Sequence, residues 1–221
     1  MDAVRVTASS GKIRVIAEAR GDVVVERGQN HPLGGVLEVS GSDDGVVMRV
    51  PTGTDLVVGS HSGTVDLTGY FGELRVTTRS GRVEVEACLS LDVRTVSGRV
   101  IVGAVAGECR IKTASGRVTV SRAGGPLNVA SVSGRIDIVD AAGPVRAHTV
   151  NGRVELGMSE AADARADSVS GEVTIGLPTG VHPKTSLVSV SGRCACEITE
   201  GDDCAVIGRT VSGRITIRER R

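Results

Sequence analysis

The sequence has 221 residues with 26 basic and 26 acidic side chains, a formal net charge of zero. That length gives room for a sizeable core in one domain, and balanced charge argues against a dedicated nucleic-acid or membrane-surface binder. Its 30 glycines are about twice the usual share, and Tyr70 and Phe71 are the whole aromatic complement, so the core must be thin and built from small β-branched side chains.

The chain opens with MDAVRVTASSGKIRVIAEARG, which reads as strand sequence and lacks the apolar centre of a secretory leader. No run of 18 apolar residues follows, so no membrane span is expected. Five cysteines cannot all pair. Together these features predict reduced thiols and a cytoplasmic location. Residues 1–50 hold one match to the motif described below, at Gly11, and then strand-like pieces, VVVER, VLEVS and VVMRV, without it. They predict atypical N-terminal coils that cap the array, because terminal repeats differ from internal ones.

Residues 51–221 are dominated by a repeat. TVSGRV or a near relative recurs with its glycine at Gly63, Gly81, Gly98, Gly116, Gly134, Gly152, Gly171, Gly192 and Gly213, at intervals of 18, 17, 18, 18, 18, 19, 21 and 21 residues. Apolar side chains fill the positions seven and five before the glycine (Leu56 and Val58, Leu127 and Val129) and two and four after it (Val65 and Leu67, Ile136 and Ile138). A small hydroxyl side chain stands three before. Apolar positions two apart mean strands with one buried face, and helical spacing is absent. Each repeat therefore reads as two short strands joined at the glycine, whose tolerance of positive φ suits a bend in every copy. The second connection, in AVAGE, RAGGPL and DAAGPV, is also turn-like. The pattern predicts an all-β, single-stranded parallel β-solenoid of about 18 residues per coil. Right-handed winding is expected from the usual crossover rule. Extra residues in LPTGVHPKT and EITEGDD lengthen the last two intervals and read as surface loops.

The TVSGRV units, the VPTGTDLVV stretch that opens the regular array and the closing TVSGRITIRER resemble a bacterial β-strand-repeat family labelled "putative adhesin", a domain family of unknown function. The resemblance covers roughly residues 50–218. It implies a β-solenoid-like fold and no catalytic set.

Candidate sites are few. The residue after the glycine forms a basic column, with Arg82, Arg99, Arg117, Arg135 and Arg153 at its centre, a face for weak attraction of a polyanion. Glu84, Asp137 and Glu155, two residues further along, balance it, and residues 71–159 carry twelve basic and eight acidic side chains, a net of +4. Without aromatic platforms, specific nucleic-acid binding is not expected. Cys194 and Cys196 share a strand face with Cys204 nearby, an arrangement conceivable for a metal. They stand in core columns, as Cys109 does, so buried unmetallated thiols are expected. The hydroxyls repeated in every coil read as a structural hydrogen-bond ladder. His31, His61, His148 and His182 are scattered, and the pairs Asp43-Asp44 and Asp202-Asp203 lie in polar loops. The column two before the glycine (Val96, Ala114, Val132, Val150, Val169, Val190, Val211) faces outward under strict alternation, or turns into a corner of the core; the corner is favoured. The terminal run Arg218-Glu219-Arg220-Arg221 reads as a stop against stacking on an unpaired last coil. No cofactor and no enzymatic activity are expected. The predicted role is a binding or scaffold protein for an unidentified macromolecule, most plainly a protein, with self-association of a bactofilin-like kind or a polysaccharide-active β-helix as alternatives.

Overall fold

A computed structural model of the chain describes residues 3–33, 36–41 and 44–220; Asp43 and Arg221 lie outside them. The described residues form strands and turns, and the chain divides into two compact units, Met1–Glu108 and Cys109–Arg221.

The first unit contains β1 (Ala3–Ala8), β2 (Lys12–Glu18), β3 (Val24–Arg27), β4 (Gln29–Leu33), β5 (Val36–Gly41), β6 (Val46–Pro51) and β7 (Leu56–Val105). The strand β1 pairs in parallel with β5 on one side and with the start of β7 on the other, Val6 opposite Val39 and Val58. One bend later, β2 pairs in the same way with β6 and β7, Val15 opposite Met48 and Leu67. The coil formed by β1 and β2 is therefore inserted between two coils that follow it in sequence. The outer coil of β5 and β6 is covered by antiparallel strands, β4 on β5 and β3 on β6. The stretch expected to hold atypical coils thus makes two coils, β1 with β2 and β5 with β6, and the antiparallel cover of the second.

The second unit contains β8 (Cys109–Ala123), β9 (Leu127–Ala141), β10 (Val145–Met158), β11 (Ala164–Leu177), β12 (Pro183–Ser189), β13 (Arg193–Cys196) and β14 (Cys204–Glu219). It is the predicted parallel solenoid. Val118, Ile136, Val154, Val173 and Ile215 stack in register through successive ladders and are at most 1% exposed. The ladders of β8–β11 and β14 run on through the motif glycine, Gly116 opposite Gly134 and Gly152 opposite Gly171, so a repeat is one bent strand rather than two. Burial parity changes at that bend. Positions seven, five and three before the glycine point inward, and so do positions two and four after it, an odd step from one set to the other.

The coil order departs from the sequence order here as well. The last strand, β14, pairs with β11 on one side and with both β12 and β13 on the other. The expected unpaired edge along Ile215 and Ile217 does not exist, and the edge coil is β12 with β13. The two 21-residue intervals explain how: extra residues let the chain step past one layer, about 4.8 Å wide, and return to fill it. The tail is not frayed either. The Arg220 amide donates to the Leu177 carbonyl at 2.7 Å, and its guanidinium reaches Asp140 at 3.4 Å. A hydrogen bond from the Ser159 hydroxyl, chiefly, and then Arg220 hold the Asp140 carboxyl below the usual range, against the opposing effect of burial.

Candidate interaction surfaces

The bend is built by three residues of the motif. The hydroxyl three before the glycine is buried and donates to the carbonyl two residues on: Thr78 to Ser80 (3.1 Å), Thr95 to Ser97, Thr113 to Ser115 and Ser131 to Ser133 (each 3.2 Å). This satisfies a carbonyl that the bend pulls out of the ladder. Gly63, Gly81, Gly98, Gly116, Gly134 and Gly171 then take φ between +126° and +155°. Gly152, Gly192 and Gly213 do not, so positive φ is not what every copy shares. Close approach is the wider requirement: a Cβ at Gly81, Gly134, Gly152, Gly192 or Gly213 would strike the carbonyl oxygen of the motif glycine in the neighbouring coil. In three later coils the hydroxyl oxygens of Thr149, Ser168 and Ser189 are buried without a hydrogen-bond partner among the described residues.

The residue between hydroxyl and carbonyl is pushed outward. Val132, Val169, Val190 and Val211 are 41–79% exposed, Ala114 is exposed and Val150 half-buried; in the first unit Val96 is 54% exposed. The corner expectation is overturned, because the inward hydroxyl occupies the space a buried valine would need. In the second unit these side chains fall at one register point on β8, β9, β10, β11 and β14, with Val190 on the edge coil beyond. Six layers make an apolar ridge about 24 Å long.

The arginine column is mostly neutralised. Arg82 pairs with Glu84 at 3.3 Å, Arg135 with Asp137 at 2.6 Å and Glu155 at 3.0 Å, and Arg153 with Glu172 at 3.0 Å. Arg99 and Arg117 are exposed and make no ion pair among the described residues.

The cysteines split. Cys88, Cys109 and Cys204 are buried, and burial pushes the Cys88 thiol up to about 12. Cys194 and Cys196 are exposed, contrary to expectation. They do stand in register with the buried Ile215 and Ile217, but on the edge coil, where no further layer covers the column among the described residues. Sequence columns register inward direction, not whether a neighbour follows.

The remaining candidates are dispersed. Asp203 is tied to His182, accepting from its amide at 2.8 Å. His61 is exposed in a bend, and the PTG turns close alike, with φ +82° at both Gly53 and Gly180. Among the described residues no three His, Cys, Asp or Glu side chains are grouped to hold a metal ion, and no helix is long and apolar enough to cross a membrane. A shallow cleft of about 230 Å³ is lined by two carboxylates, Glu155 and Glu219, together with Thr174, Arg218 and Arg220.

No curated protein matches the chain. A solved structure described as a "putative cell adhesion protein from Clostridium sporogenes ATCC 15579" aligns over 99% of this chain and 92% of its own at 9% identity and a TM-score of 0.25, too loose a superposition to carry an argument. The model of the Toastrack DUF4097 family matches residues 1–218, and with its in-register parallel coils the chain belongs to that family.

Proposed function

We propose that the protein is a non-catalytic β-solenoid that binds another protein along the valine ridge of its second unit. The carrying observation is the row of apolar side chains at one register point, with Val132, Val169, Val211 and Val190 exposed and Val150 half-buried. Contiguous apolar surface on a chain with so many charged residues is costly unless a partner covers it. Repetition makes the ridge straight and rigid, so a partner's apolar side chains can match its spacing with little ordering cost. Neighbouring carboxylates bind Arg82, Arg135 and Arg153, which weakens the column as a polyanion site and favours an apolar contact. End-to-end filament growth is disfavoured, because β3 and β4 cover the outer coil of the first unit.

The test compares native protein with the variant Val132→Asp/Val169→Asp/Val211→Asp as bait in extracts of the source organism. These side chains are solvent-facing, so folding should survive, as thermal melting will check. A protein retained by native bait and lost with the variant supports the ridge. Identical retention, or none by either, contradicts it.

A further inference from the structure

The open side of β13 carries a second interaction surface, independent of the ridge. Among the described residues β13 pairs with β14 alone. The Glu197 amide donates to the Ile217 carbonyl at 2.9 Å and the Ser191 amide to the Val211 carbonyl at 2.8 Å. Backbone groups alternate sides along a parallel strand, so Arg193, Ala195 and Glu197 turn theirs toward β14. Cys194 and Cys196 turn their N–H and C=O groups to the open side.

The residues on this edge read Arg193-Cys194-Ala195-Cys196-Glu197. About Ala195 the sequence is symmetric in kind and opposite in charge. A two-fold axis perpendicular to the sheet, midway between the Ala195 residues of two copies, lays this strand antiparallel beside the same strand of another molecule. Cys194 of each copy then faces Cys196 of the other, and their outward amides and carbonyls exchange hydrogen bonds as a bonded antiparallel pair. Arg193 of each copy faces Glu197 of the other. Both side chains are exposed, and neither forms an ion pair within its own chain among the described residues. A one-residue slip opposes neither pair of charges. The same rotation keeps all four thiols on the core-facing side, where they extend the column of Ile215 and Ile217. We propose that the protein forms a homodimer with a second copy of itself by antiparallel pairing of β13 about Ala195. The contact is isologous and therefore closed, so it yields a dimer and not a fibre.

The test is sedimentation equilibrium in reducing buffer over a concentration series. Native protein is expected to show a monomer–dimer equilibrium. Arg193→Glu and Glu197→Arg should each weaken the dimer at least about tenfold by opposing like charges, and the double variant should restore it. Circular dichroism melting confirms that each variant is folded. Register is read by cross-linking with diamide, which takes two electrons and two protons from a pair of thiols as its N=N bond becomes a hydrazine and the disulfide forms. Cys194→Ser and Cys196→Ser should each cross-link poorly alone, and an equimolar mixture should cross-link, because one copy supplies Cys196 and the other Cys194. Monomer at all concentrations, or a dimer indifferent to both charge reversals, overturns the proposal. Equal cross-linking by each single variant alone and by the mixture overturns the register.

Discussion

The outer coils of the two units solve the same problem differently. In the first unit β5 and β6 sit beside the inserted β1 and β2, and antiparallel β4 and β3 cover their far sides. In the second, β12 and β13 sit beside the inserted β14 with nothing paired on the far side among the described residues. The covered coil keeps full core residues, Val39, Val46, Met48 and Val50, all fully buried. The uncovered coil replaces them with Thr185, Cys194 and Cys196, half-buried or exposed. Insertion of β1–β2 and β14 achieves one thing in both units: the first and last described coils are hydrogen-bonded on two sides, and the edge falls on a segment held by chain at both of its ends. The open edge is thereby placed on a loop-closed coil, where fraying is costly.

The largest expected difference lies between adjacent layers of one column. Ile215→Ala, inside the stack, should lower unfolding free energy by about 3 kcal/mol through a buried cavity. Cys194→Ser, beside it on the open coil, should change it by less than about 0.5 kcal/mol. Urea unfolding measures both, and equal effects would mean that the edge coil is buried after all.

Glycines sharpen the contrast on steric grounds alone. A Cβ at Gly213 would run into the Gly171 carbonyl, and β14 is held by layers on both sides. Gly213→Ala should therefore cost about 2 kcal/mol. At Gly192 the added methyl strikes Gly213, but the open coil can yield outward. Gly192→Ala should cost under about 1 kcal/mol in the same assay.

Thiols divide the molecule similarly. Two of the five, Cys194 and Cys196, should react rapidly with a thiol reagent in the native state, and Cys88, Cys109 and Cys204 only on unfolding. Because burial raises the folded-state value of Cys88 from 9.0 to about 12, the unfolded chain loses that proton first. Its contribution to stability is complete below pH 9 and is lost as pH climbs toward 12. Cys88→Ala should flatten that decline in a denaturation series against pH.

The smallest effect concerns the tail. Arg220→Ala removes a partly exposed contact to Asp140 and the Met158 carbonyl and should cost about 0.5 kcal/mol, less in high salt.

Most of the fold was legible because a coil repeats its chemistry: glycine spacing, inward columns and hydroxyls map directly onto β8 to β11. Layer order was not, since a column says which way Ile215 and Cys194 point and nothing about which layer each occupies. Two signals bore on it, the 21-residue intervals and the weak core residues of 185–196, but their meaning depends on pairing partners far apart in sequence. The valine ridge was misread for a local reason. Alternation is broken at the glycine, and only the hydrogen bond from hydroxyl to carbonyl settles which side of the break the valine takes. The cover of β5 and β6 by β3 and β4 left no periodic trace, because antiparallel strands need not share the motif.

Amide hydrogen exchange followed by mass spectrometry tests the inserted order most directly. The account predicts that peptides from 204–219, despite lying last in the described chain, exchange slowly like those of β10 and β11. Peptides from 183–196 should exchange earlier, in monomeric protein at low concentration. Fast exchange in 204–219 with protection of 183–196 would mean that the coils stack in sequence order, and would contradict it.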